Sequence, residues 1–117
     1  MTIRKDFINT NYGCTIKFIL TDDFKKVVKP IHKKLKIKEE PCECEGEVLP
    51  IDSNLIYLVI DSKYFTWNTI FHECYHLVSA ICEVRNVNDE ESKSWVMGWI
   101  GQQFTKFFEQ KKLKPLG

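Results

Sequence analysis

The stretch from Trp67 to about Glu83 constrains this chain more than any other. Ile70, Cys74, Leu77, Val78 and Ile81 recur at helical spacing and form one apolar face. Phe71, Tyr75 and Cys82 make the neighbouring positions apolar as well, and a helix apolar around most of its girth is expected to be a central one. Thr66 supplies an N-cap oxygen just before it. Three strongly polar residues interrupt the pattern: His72, Glu73 and His76. Two imidazoles and a carboxylate left unpaired in such a helix would be costly, so the segment asks for something that binds them.

The rest of the chain supplies elements for this helix to pack on. Tyr12–Leu20 reads as a strand, with Cys14, Ile16, Phe18 and Leu20 on one face and Thr15 and Lys17 on the other. Thr21, Asp22 and Asp23 offer capping oxygens and first-turn negative charge. Phe24, Val27, Val28, Ile31 and Leu35 then follow as one apolar stripe, which predicts a helix covering a sheet. Pro30 breaks its hydrogen-bond ladder, so a kink or two short helices are expected there. Pro41, Gly46, Pro50 and Asp52-Ser53-Asn54 are turn chemistry around a short strand near 44–49. Leu55–Ile60 is apolar on both faces and too short for a helix, as a buried strand would be. After a polar connection at 85–88, Asp89, Glu90 and Glu91 open a last helix running to about Lys111, which carries Trp95, Trp99, Phe104, Phe107 and Phe108.

Length and composition set the limits. A chain of 117 residues, 44% of them hydrophobic, is expected to form a single domain over 1–117 with one core. No apolar run reaches the roughly 18 residues a membrane span requires. The opening MTIRKDFINTNYG is charged and has no apolar stretch behind it, so no secretory signal is read there and a cytoplasmic location is expected. The five cysteines are then expected to be reduced thiols, mostly buried. The formal charge of +1 hides an asymmetry. Lys25, Lys26, Lys29, Lys33, Lys34, Lys36 and Lys38 precede a glutamate-rich turn at 39–47. These lysines read as a solvated helix face, and the absence of interleaved aromatic residues argues against nucleic acid.

His72-Glu73-Cys74-Tyr75-His76 carries the chemistry. Residues four apart on a helix share a face, with Cβ atoms about 5–6 Å apart. Two imidazoles at that spacing can converge on one zinc ion at about 2.0–2.1 Å per bond. Glu73, beside them, can reach a water on the metal without being a ligand itself, which is the arrangement a zinc hydrolase requires. A catalytic zinc takes three protein ligands, so one more must be found. His32 sits among the lysines and reads as a solvated side chain, and Cys74 is turned away from both histidines by the helix. Cys42 and Cys44 make at most a weak, separate metal pair. Glu90 and Glu91, at the start of the next helix, are better situated for an antiparallel return across the zinc helix, although both also complement a helix N-terminus.

HECYH followed by DEESKSW resembles the gluzincin branch of zinc metallopeptidases, in which a glutamate on a second helix completes the metal site. The span from Thr66 to about Gly101 is similar to small HExxH proteins of phages and bacteria. More loosely, the order of elements is similar to the peptidase domain of the ImmA/IrrE family. The resemblance implies an α+β, zincin-like fold: a small mixed or antiparallel sheet of three to four strands, a covering helix, a zinc helix and a C-terminal glutamate helix. It implies one Zn2+ per chain held by His72, His76 and Glu91, with Glu90 in reserve, and Glu73 as general base in peptide-bond hydrolysis. A peptide or protein substrate would pair with an exposed strand, either 44–49 or 55–60. Tyr75, inside the motif, is expected to face the core. The alternative is a catalytically inactive zincin-fold module that binds zinc and acts as a protein-interaction or regulatory partner.

Overall fold

The computed structural model describes residues 1–9, 11–37 and 45–117. Its order is β1 (Thr2–Asn9), β2 (Cys14–Thr21), α1 (Phe24–Lys34), β3 (Gly46–Pro50), β4 (Leu55–Asp61), a short 3-10 turn, α2 (Trp67–Val84) and α3 (Glu90–Gln110). This is an α+β arrangement with a mixed four-stranded sheet in the order β1-β2-β4-β3. β2 and β4 are parallel, and α1 lies in the connection between them. β1 and β3 run antiparallel to their neighbours and form the two edges.

Each strand divides its side chains between two layers because successive residues point to opposite faces. Ile16, Phe18 and Leu20 of β2, with Ile56, Leu58 and Ile60 of β4, face α2 and α3. There they meet Ile70, Cys74, Leu77 and Ile81 of α2 and Ile100, Phe104, Phe107 and Phe108 of α3. Phe7, Phe18 and Phe104 form the aromatic centre of this layer, with ring centroids 5.2 Å apart for Phe7–Phe104 and 5.4 Å for Phe18–Phe104. On the other face Ile19, Val59 and Leu49 pack against Phe24 and Val28 of α1. The apolar stripe of α1 therefore covers the sheet as its spacing predicts.

Several boundaries follow from local chemistry. Thr66 Oγ1 accepts from Thr69 N at 3.1 Å and starts α2 as expected. Asp89 does the same for α3 through Ser92 N at 2.8 Å. Residues 11–13 are turn rather than strand, with Tyr12 N donating to Asn9 Oδ1 at 2.9 Å and Gly13 at φ +62°. That is the left-handed region glycine enters at no steric cost.

Several readings change, and one strand was not foreseen. Of the two outcomes expected at Pro30, a kink or two short helices, the second does not occur: α1 is one continuous helix, because Pro30 lies on its exposed side, where solvent can satisfy the Lys26 carbonyl left without an N–H partner. β1 has no sequence signature of its own: most of TIRKDFIN is exposed, and only Phe7 and Asn9 are buried. It is held by the full ladder to β2, from Thr2↔Thr21 to Asn9↔Cys14. α2 is not buried around its girth, since Phe71 is 56% and Tyr75 69% exposed. Only one side of it meets the sheet and α3, and Tyr75 points away from the core instead of into it. His32 is buried, not solvated, because it continues the Phe24, Val28 face by one more turn of α1. The strand expected near 44–49 is β3, starting at Gly46; residue 44 and the expected Cys42–Cys44 pair lie outside the described residues. No helix among the described residues is long and apolar enough to cross a membrane.

Candidate active site

α2 turns His72 and His76 to the open side of the helix and Glu73 towards the sheet. His72 Nε2 and His76 Nε2 are 3.2 Å apart, with ring centroids at 4.8 Å and planes inclined by 74°. Two nitrogens bound to one tetrahedral zinc at about 2.0–2.1 Å would be about 3.3–3.4 Å apart. The pair thus has nearly the spacing that a shared ion imposes, and both rings are open to solvent.

Glu73 is only 5% exposed and makes no hydrogen bond or ion pair with any described residue. Burial pushes its carboxyl above the usual range; the nearby His72 and His76 oppose that shift, while Glu47 and Glu45 add to it. Its room comes from β3. A Cβ on Gly46 would sit 3.0 Å from Glu73 Cγ and 3.2 Å from Oε2, so only glycine lets the strand pass this close over the carboxylate. Gly46 pairs with Ile60 on β4, so the strand cannot readily lift away. A glycine inside a strand is itself a signal of close approach, although the sequence cannot say to what.

β3 brings further acidic groups. Glu45, just before it, accepts from Thr69 Oγ1 at 3.0 Å, tying the strand entrance to the first turn of α2. Glu47 reaches the opposite layer, where His32 Nε2 lies 2.8 Å and 3.0 Å from its two carboxylate oxygens. Neither Glu45 nor Glu47 was legible as a site residue, because only the sheet topology carries β3 over α2, and His32 meets Glu47 from the opposite layer. His32 could have been recognised as buried from its spacing to Val28. Glu47 also lines a cleft of about 480 Å³ between β3 and α2, together with His72, Glu73, His76 and Glu83.

Glu90 and Glu91 occupy the first turn of α3 and are exposed. Among the described residues no set of three or more His, Cys, Asp and Glu side chains is grouped so that it could hold a metal ion. The structure therefore brings His72, Glu73 and His76 together but does not bring Glu91 or Glu90 to the histidine pair. Glu90 instead lines a groove between α2 and α3 with Tyr75, Val78 and Met97. Of the two strands expected to offer an edge, β4 is paired on both sides, which leaves β3. No protein-family model, no curated protein and no solved structure matches this chain.

Proposed function

We propose that this chain is a small zincin-like metallopeptidase that hydrolyses a peptide bond. The observation that carries the reading is the convergence of His72 Nε2 and His76 Nε2 to 3.2 Å directly beside a buried, unpartnered Glu73. The donor set suits Zn2+, which takes neutral imidazole nitrogens readily. His72 and His76 would hold it, with Glu91 as the third ligand that the resemblance implies after a side-chain or helix adjustment. When bound, the ion would supply Lewis acidity towards a carbonyl and activation of water near neutral pH.

The chain's own residues do the remainder. Glu73, held against Gly46, receives the proton of the attacking water at a carboxylate oxygen and passes it to the leaving amine. Its burial keeps bulk solvent from competing for that proton. The outer edge of β3, unpaired among the described residues, can hold an extended substrate backbone alongside the histidines.

The second reading, a non-catalytic zinc-binding module, rests on the same histidine pair and needs no general base. The two separate on one comparison. Glu73→Gln keeps the shape of the side chain but removes its basicity, so in a peptidase it retains zinc and loses about 10²–10⁴-fold in rate. Equal cleavage by both proteins removes Glu73 from the mechanism. Zinc binding with no cleavage of a broad peptide library by wild type gives the case to the module.

A further inference from the structure

The cleft between β3 and α2 is one-sided in charge. Among the described residues Glu47, Glu73 and Glu83 line it beside His72 and His76, and no lysine or arginine does. Glu47 is met by His32 from the far side of the sheet. Among the described residues Glu83 has no cation paired with it, and Glu73, nineteen-twentieths buried, opens into the cleft without a hydrogen-bond partner. The lysines of α1 lie across the sheet from it, since α1 packs on the opposite face. A dication on the histidine pair would be offset by Glu73 and by Glu91 as third ligand, and Glu47 faces His32, which leaves Glu83 uncompensated.

The cleft also has a continuation. Ser79 and Glu83 line both it and the groove of about 610 Å³ between α2 and α3, whose walls include Tyr75, Val78, Val87 and Met97. A free cation or a small polyamine could use only the acidic part. An extended peptide can use the acidic cleft, the apolar groove and the edge of β3 together.

We propose that this cleft receives a lysine or arginine side chain of a peptide, with a neighbouring apolar side chain of the same peptide in the α2–α3 groove. The peptide class is taken from the hydrolase reading, but selectivity is carried by charge and is read out by binding. Opposite charges facing each other across an interface favour the right partner and penalise the wrong one, here an acidic side chain against Glu83.

The test uses fluorescein-labelled alanine hexapeptides carrying a central Arg-Leu, Glu-Leu, Ala-Leu or Arg-Ala pair. Binding is followed by anisotropy with zinc present, for wild type, Glu73→Gln and Glu83→Gln. The expected result is that Arg-Leu binds about tenfold tighter than Glu-Leu at low salt, with the gap closing as salt rises. Arg-Ala should bind less tightly than Arg-Leu, and Glu83→Gln should lose most of the preference while keeping its thermal unfolding temperature. Equal binding of Arg-Leu and Glu-Leu, no binding of either, or a preference untouched in Glu83→Gln overturns the proposal. Zinc content and cleavage are scored separately. A zinc peptidase without charge preference ends this inference alone, whereas an arginine preference in a protein that never cleaves ends the hydrolase reading alone.

Discussion

Gly46 on the edge strand and Glu73 on the histidine helix are packed so closely that a single methyl group would separate them. The ideal Cβ at Gly46 falls 3.0 Å from Glu73 Cγ and 3.1 Å from the Val59 carbonyl oxygen. One of those neighbours is backbone and cannot give way, so the strain passes to the glutamate. Gly46→Ala should therefore displace the Glu73 carboxylate, at a stability cost of about 1–3 kcal/mol for the overpacking. Zinc content should be unaffected and cleavage rate should fall, as followed by elemental analysis and a peptide assay. A normal rate in the alanine variant would show that the position of Glu73 under β3 does not matter to the chemistry.

His32 and Glu47 join α1 to β3 through the sheet edge. Removing the imidazole leaves a partly buried carboxylate without its partner, and such losses cost about 1–3 kcal/mol. His32→Leu should lower stability to urea by that order. The double variant His32→Leu, Glu47→Leu should recover part of it, because no polar group is then left alone. Additive losses in the double-mutant cycle would mean that the two side chains are not coupled.

Zinc binding is expected to require both histidines. Wild type purified without chelator should carry about one zinc per chain, since three ligands and an open position are typical of a catalytic site. His72→Ala and His76→Ala should each abolish it. Glu91→Gln should weaken zinc more than Glu90→Gln, which changes mainly helix-end electrostatics of about 0.3–1 kcal/mol. The opposite order, by competition with a chromogenic chelator, would move the third ligand to Glu90.

Cys14, Cys74 and Cys82 are buried free thiols. Burial raises all three, and Cys74 is pushed up to about 12, with Glu73 adding to the effect. The thiolate is the reactive form, so these cysteines should resist iodoacetamide in the native protein and react after unfolding. Mass spectrometry of peptides labelled before and after denaturation checks this. Rapid native labelling of Cys74 would mean that α2 opens readily from the sheet.

Features whose physics is local could be read from the order of residues alone. Thr66 and Asp89 start their helices because each has a side-chain oxygen ready for a free N–H. Leu55–Asp61 is an interior strand because both of its faces are apolar. The convergence of His72 and His76 follows from four-residue spacing on one helix. Tertiary structure decided everything that depends on which surfaces meet. β1 exists because β2 offers it a ladder, not because TIRKDFIN alternates. Phe71 and Tyr75 are exposed because only one side of α2 finds a partner, which an apolar helix cannot reveal on its own. His32 can be buried because Glu47, fifteen residues away on β3, gives its Nε2 a hydrogen-bond partner. Gly46 and Glu73 meet because β3 occupies the sheet edge, and contacts between distant segments leave no periodicity in a sequence for a reader to find.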